Sequence, residues 1–138
     1  HAGEYNTQSI AKAIDHGARR ISQSVKLMED PGLLEKMREK RIPLEMCPLT
    51  NIRLDLVPAY GKHPIRKLYD AGIRVCVGSD HQKVSGTTLK QEYRRLMKYL
   101  GFSKEDVYQM NLNAIDGAFI SEEEKDDLRR KLEETFEI

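Results

Sequence analysis

The chain has 138 residues, of which 39% are hydrophobic and 33% are charged, and its net charge is +1. This length suits one domain with a moderate core, so we expect residues 1–138 to form a single domain. A net charge so close to zero gives no electrostatic reason to bind nucleic acid or an anionic membrane, and we expect neither partner. No apolar run approaches the roughly 18–20 residues of a membrane span, and no secretory signal is visible.

The two cysteines, Cys47 and Cys76, lie in strand-like segments where free thiols are common. Two cysteines do not make a disulfide framework, so a cytoplasmic location is favoured. The first residue is His1 rather than methionine, and it begins a polar motif with no strand before it. We therefore expect a processed, truncated or engineered chain.

Helices and strands alternate in the first part of the chain. Apolar spacing predicts a helix from Thr7 to His16 and a strand over residues 19–23. Asp30 as N-cap and Pro31 in the first turn predict the start of the next helix. A second strand is predicted over residues 42–47.

The middle of the chain contains the most informative strand. Residues 48–61 are expected to be irregular because they are rich in Pro, Asn and Gly, and a helix is predicted over residues 63–68. A third strand is predicted over residues 73–78, where β-branched residues alternate before Gly-Ser-Asp. It places Asp80 at a carboxyl end, where ligands and metals bind in α/β folds.

Three helices are predicted to finish the chain. They run from Thr88 to Leu100, from Glu105 to Ala118 and from Glu122 to Phe136. Ser103 to Asp106 resembles a capping box for the second of these helices, and Ser121 to Glu124 is a full capping box for the third.

This order of elements predicts an α/β fold with parallel strands joined by right-handed crossovers. Three strands cannot close an eight-stranded barrel, so we expect an open α/β layer with both sheet edges unpaired. Apolar strand residues would then face an unfilled barrel interior or a helix layer. We therefore expect a homo-oligomer, most simply a two-fold dimer, or docking against a complementary barrel fragment. The polar strand ends, with His1, Gln23, Glu45 and Asp80, should meet at one rim.

Several short motifs occur in a characteristic order. They are His1-Ala-Gly-Glu4, Glu45-Met-Cys-Pro-Leu-Thr-Asn51, His63-Pro64, Ser79-Asp80, and Asn111-Leu-Asn-Ala114 with Phe119. Together they resemble the adenosine deaminase family of metal-dependent amidohydrolases, to which AMP and adenine deaminases are closely related. The resemblance covers essentially the whole chain and corresponds to the C-terminal part of a (β/α)8 barrel.

The resemblance implies a zinc-dependent hydrolase that deaminates a purine at C6. It implies zinc as cofactor, with His1 and Asp80 as ligands, and a purine nucleoside as substrate if the barrel is completed. Glu4 falls on the residue that donates a proton to the purine ring nitrogen, and Gly3 on a residue that lines the base. Zinc lowers the pKa of its bound water, and protonation of the ring makes its carbon more electrophilic.

Three departures from the family pattern bear on activity. Gln23 stands where the family has the histidine that orients the attacking water, and Gln23 cannot exchange a proton at neutral pH. His81, a candidate substrate-binding residue, stands with Gln82 where the family has Asp and Pro. The His-x-His pair of the first barrel strand is absent. We therefore expect the isolated chain to be inactive.

Simpler interpretations of these residues stay open. His1 can be an unstructured terminal residue, Glu4 a solvated carboxylate, Asp80 a turn or helix cap, and His81 a hydrogen-bonding loop residue. The chain is then the C-terminal part of a deaminase-like enzyme, a catalytically silent remnant or engineered module, or a relative in which Gln23 and His81 serve another substrate. The sequence does not distinguish adenosine from adenine or AMP as the ancestral substrate.

Overall fold

A computed structural model describes residues 1–136. Its centre is a three-stranded parallel sheet in the order β1-β2-β3. The strands are Ile21–Ser22 (β1), Leu44–Met46 (β2) and Val75–Val77 (β3). The predicted α/β architecture is confirmed, and each strand is shorter than the sequence pattern predicted.

Within the described residues, eight α-helices accompany the sheet. They are Gln8–Asp15 (α1), Pro31–Glu39 (α2), Pro48–Arg53 (α3), Ile65–Asp70 (α4), Gln82–Ser85 (α5), Leu89–Leu100 (α6), Lys104–Asp116 (α7) and Glu122–Thr135 (α8). Two short 3-10 helices, Leu27–Glu29 and Tyr60–Lys62, complete the regular structure there. None of the helices in residues 1–136 combines the length and apolar character that a bilayer crossing needs.

The predicted helix starts are confirmed by their caps. The Asp30 side chain accepts a hydrogen bond from the backbone N–H of Leu33 at 3.0 Å. Ser103 and Ser121 each open a helix with a complete capping box. Each cap satisfies backbone N–H groups that have no partner inside the helix, and this fixes where the helix begins.

The prediction that residues 48–61 are irregular is wrong for their first half, because α3 begins at Pro48. Proline is favourable in the first turn of a helix, since its fixed φ suits that turn and its missing N–H is not needed there. The next backbone N–H, on Leu49, donates to the Glu92 carboxylate at 3.1 Å. This cap comes from a distant part of the chain, so local composition did not reveal it. The short helix α5 was also not predicted.

The two faces of the sheet have different environments. Ile21, Leu44 and Val75 are aligned across the three strands and point the same way. All three are buried among the helices in the hydrophobic core of this chain. The apolar strand residues therefore face a helix layer, and no second chain is needed to cover them.

Within residues 1–136 the sheet ends at β1 on one side and at β3 on the other, as predicted, but other parts of the same chain contact each outer strand. Beside β1, the backbone N–H of Ala2 donates to the carbonyl oxygen of Ser22 at 3.1 Å. Beside β3, the side-chain amide of Asn113 donates to the carbonyl oxygen of Val75 at 2.9 Å. Each outer strand therefore has hydrogen-bonding groups satisfied by other parts of the same chain.

The end of α7 is held against the amino ends of the strands. Asp116 pairs with Arg74 at 2.9 Å, and Arg20 donates to the carbonyl oxygen of Gly117 at 3.2 Å. These contacts keep α7 along β3, with Ala114 directed towards the polar face of the sheet.

Candidate functional site

A cavity of about 280 Å³ opens at the carboxyl ends of the strands. Its lining residues are His1, Ser22, Gln23, Glu45, Cys47, Cys76, Val77, Gly78, Asp80 and Ala114. The volume lies just below the roughly 300–1,000 Å³ of most small-molecule pockets. A site of this size suits a single heterocyclic ring system better than a large ligand.

The structure brings together the four polar strand-end residues singled out from the sequence. His1, Gln23, Glu45 and Asp80 all line this cavity. Gln23 and Asp80 meet because the carboxyl ends of parallel strands lie at the same edge of a sheet, whereas Glu45 reaches the cavity from the polar face of β2 and His1 from the segment before α1. The predicted shared rim is therefore present within a single chain.

Two of these residues have an uncommon backbone conformation. Gln23 has φ of 68° and Asp80 has φ of 52°, both in the left-handed region. Non-glycine residues there carry a conformational cost of about 1–3 kcal/mol and are often found at functional sites. The turn at each position ends the strand.

A buried hydrogen-bond network holds the Gln23 side chain. Its Oε1 accepts from the side-chain amide of Asn51 at 2.9 Å and from the backbone N–H of Cys47 at 3.2 Å. A backbone N–H can only donate, so this contact identifies the Gln23 atom facing Cys47 as oxygen. The carboxamide nitrogen of Gln23 lies on the opposite side of the group.

His63 completes this network. Its Nδ1 accepts from the backbone N–H of Ile65 at 3.1 Å, which places the ring proton on Nε2. Nε2 lies 3.0 Å from Asn51 Oδ1 and donates to it. Burial lowers the pKa of His63 to about 4, so the ring is neutral near pH 7. His63 thus accepts a hydrogen bond from the first residue of α4 through Nδ1 and contacts Asn51 through Nε2.

Glu45 forms the acidic side of the cavity. Its carboxylate accepts from the Ser22 hydroxyl at 2.5 Å and pairs with Arg20 Nε at 3.2 Å. Ser22, Glu45 and Cys76 are aligned across the sheet and share the face opposite the hydrophobic core. The polar face of the sheet is thus the floor of the cavity.

Both thiols at the cavity are protonated near pH 7. Burial raises the pKa of Cys47 to about 11, and the acidic side chains around it add to that rise, whereas the Gln23 amide lowers it. Burial likewise raises the pKa of Cys76 to about 12. A thiolate is the nucleophilic and metal-binding form, so neither cysteine is prepared for these roles.

Sequence reasoning missed a second buried cluster, centred on Glu92. This fully buried carboxylate accepts from Tyr60, Thr87 and Arg95, in addition to the backbone N–H of Leu49. It ties α6 to the start of α3, the helix that carries Asn51. A glutamate among helix-forming residues gives no sequence signal for this role.

Known proteins resemble this chain in sequence and in fold. The family model described as "Adenosine deaminase" matches residues 1–135. The chain belongs to the adenosine deaminase family. It is 34% identical over 137 residues to an adenosine deaminase of Enterococcus faecalis, a match that covers 99% of this chain and 41% of that relative. The chain therefore spans about two fifths of the relative's length.

Solved structures of other proteins have the same fold. An adenine deaminase from Arthrobacter aurescens is 31% identical, with a TM-score of 0.92, over 97% of this chain and 42% of that protein. An amidohydrolase from Burkholderia ambifaria, with bound Zn, has a TM-score of 0.84 at 21% identity, over 94% of this chain and 36% of that protein. The chain is thus part of a (β/α)8 barrel, as predicted.

Three residues with roles implied by the family do not line the cavity. Glu4 lies beside it, with Oε1 at 3.4 Å from His1 Nδ1. Gly3 faces the core, where an added Cβ would lie 2.5 Å from the Ile10 side chain. The His81 side chain is 84% exposed, with Nε2 at 3.8 Å from Asp80. Their roles in substrate binding and proton donation stay predictions.

The metal site implied by the family is incomplete within residues 1–136. His1 and Asp80 share the cavity, but residues 1–136 contain no group of three or more His, Cys, Asp or Glu side chains arranged to hold a metal ion. A catalytic zinc site normally has three protein ligands. The described residues alone therefore do not fit a catalytic zinc ion.

Proposed function

We propose that this chain is the C-terminal part of a purine deaminase-like hydrolase and that it has no turnover on its own. The observation that carries the proposal is the convergence of His1, Gln23, Glu45 and Asp80 at one cavity in a chain of the adenosine deaminase family. These residues come from four separate segments, and only the folded chain assembles them.

The proposal includes a zinc ion held by His1 and Asp80 together with ligands from another part of a complete barrel. The support is the family membership and the Zn bound in the Burkholderia relative, whose similarity concerns the fold. When bound, such an ion would activate water for attack on the purine. Glu4 would donate a proton to the ring, and Gly3 and His81 would contact the base.

Two features of the chain's own residues support the proposed absence of turnover. Gln23 has no titratable group, so it cannot accept the proton that an attacking water loses. Loss of a positioned acid-base group lowers rates by about 10²–10⁴-fold. The incomplete ligand set removes further rate enhancement.

A complementary barrel fragment is the partner that this proposal favours over a homodimer. The apolar strand residues are already buried within the chain, so they do not drive self-association. The polar face around Glu45 and Cys76 is the part that lines a cavity and that a complementary fragment would enclose. A cytoplasmic location is also proposed, supported by two free cysteines.

Ammonia release from adenosine and adenine tests the proposal. The isolated chain with added zinc is expected to give none. A chimera joins the N-terminal part of the Enterococcus faecalis relative to this chain, with and without Gln23→His. The Gln23→His chimera should deaminate a purine about 10²–10⁴-fold faster than the unsubstituted chimera.

Two outcomes would refute the proposal. One is turnover by the isolated chain near the median enzyme value of about 10 s⁻¹. The other is a folded Gln23→His chimera with no activity on either purine, which would favour a silent module or another substrate.

A further inference from the structure

The Gln23 carboxamide is a buried donor with a fixed direction. The side chain is 2% exposed and lines the cavity. Both of its hydrogen bonds to described residues, from Asn51 and from the Cys47 backbone, involve Oε1. The carboxamide nitrogen therefore keeps its two N–H donors for other partners, and the weakly accepting Cys47 thiol beside it engages at most one.

The hydrogen-bond network prevents the Gln23 amide group from rotating by 180°. Rotation by 180° would place the NH₂ group against the backbone N–H of Cys47 and against the NH₂ group of Asn51. Asn51 is itself fixed, because its Oδ1 accepts from His63 Nε2 at 3.0 Å. The backbone N–H of Ile65 donates to His63 Nδ1, so the ring proton of His63 is on Nε2. Gln23 is thus a donor of defined orientation, whereas an imidazole at this position can both donate and accept.

The other polar groups of the cavity complement this donor. Asp80 and Glu45 present carboxylates, which only accept when ionised. A ligand that complements these groups has a hydrogen-bond acceptor that faces the Gln23 NH₂ and, next to it, a donor that faces a carboxylate. A cyclic amide has this pattern, with its carbonyl oxygen next to a ring N–H. An aminopurine has the reverse pattern, with an exocyclic NH₂ next to a ring nitrogen that accepts.

We infer that Gln23 is a specificity-determining residue that makes the cavity select 6-oxopurines over 6-aminopurines by donating to the carbonyl oxygen. The purine class rests on the proposed function, and the selection for oxygen rests on the Gln23 network. In an aminopurine complex, the ligand NH₂ would face the Gln23 NH₂ with no acceptor between them. An unsatisfied buried donor is costly, so we expect at least about a tenfold preference for the oxo ligand.

Calorimetric titration of the 138-residue chain with hypoxanthine and with adenine measures this preference. The decisive variant is Gln23→Glu, which keeps the size and one accepting oxygen but removes both donors. It should weaken hypoxanthine binding by about tenfold and abolish the preference. Gln8→Glu makes the same change on an exposed side chain and should leave both affinities unchanged.

A second variant tests orientation rather than the presence of the amide. Asn51→Asp keeps an acceptor for His63 but replaces the N–H that contacts Gln23 Oε1 with a carboxylate oxygen, so only the Cys47 backbone N–H still holds Oε1 and the Gln23 NH₂ should turn towards the new carboxylate. Hypoxanthine should lose its advantage although Gln23 is intact. A purely structural role for Asn51 would weaken both ligands by the same factor. Urea denaturation verifies that each variant is folded.

Each remaining outcome contradicts the inference. Equal or tighter binding of adenine to the wild-type chain overturns it, as does a preference for hypoxanthine that persists in folded Gln23→Glu. Binding of neither base also overturns it, because the cavity belongs to this chain. The proposed function is decided separately by turnover of the chimera, so the two can fail independently.

Discussion

Neutral His63 makes stability depend on pH in a defined direction. Its ring is 3% exposed and burial lowers its pKa from 6.5 to about 4 in the folded chain. Between these values the unfolded chain binds a proton at this position and the folded chain does not. The free energy of unfolding must therefore fall as the pH drops from about 6.5 towards 4. Above pH 6.5 the contribution is complete.

The size of the effect follows from the two pKa values. Between pH 8 and pH 4.5, His63 alone should lower the free energy of unfolding by about 2.5 kcal/mol. Urea denaturation at both pH values measures the loss in the wild-type chain and in His63→Gln. Gln replaces the ring without a titratable group and can still donate towards Asn51.

The comparison isolates His63 from the carboxylates. Acidification also begins to protonate Asp70 and Asp106 in the unfolded chain, since their pKa values are lowered only in the folded chain, but this loss is common to both proteins. The wild-type loss should exceed that of His63→Gln by about 2.5 kcal/mol. His16→Gln, an exposed histidine, serves as control. Equal losses in the wild-type and His63→Gln proteins would refute the assignment of a buried neutral ring.

Three further perturbations test the packing. Glu92→Leu should destabilise the chain by about 3–5 kcal/mol in urea denaturation, because Thr87, Tyr60 and the half-buried Arg95 lose their shared acceptor; a loss below 1 kcal/mol would contradict this. Gly3→Ala should lower the melting temperature more than Gly17→Ala: both have positive φ, but only at Gly3 does an added Cβ collide with neighbouring atoms. Alkylation at pH 8, followed by mass spectrometry, should find Cys47 and Cys76 protected until urea unfolds the chain, since burial raises both pKa values; rapid labelling of the native protein would refute this.

Local sequence signals predicted most of the helices and strands but not their lengths, and they missed helices α3 and α5. Asp30, Ser103 and Ser121 act on N–H groups three residues away, so their helix starts could be read directly from the sequence. Helix α3 could not be found in this way, because the Glu92 carboxylate that caps Leu49 lies 43 residues further along the chain.

The candidate site shows the same division between local and distant information. The family motifs and strand ends predicted that His1, Gln23, Glu45 and Asp80 would meet, since parallel strands place all their carboxyl ends at one edge of the sheet. The orientation of Gln23 depends on Asn51, which lies 28 residues away, and no local pattern encodes that contact. The burial of Ile21 and Leu44 by helices of the same chain was likewise a matter of tertiary packing.

Zinc affinity tests most directly the claim that this chain holds one part of a hydrolase site. Calorimetric titration should show tight binding of one zinc ion by the chimera and weak or no binding by the isolated chain. In the chimera, Asp80→Ala should reduce the affinity by more than the roughly 10–100-fold that loss of an outer-shell partner costs. Identical isotherms for the chimera and its Asp80→Ala variant, or equally tight binding by the isolated chain, would contradict the account.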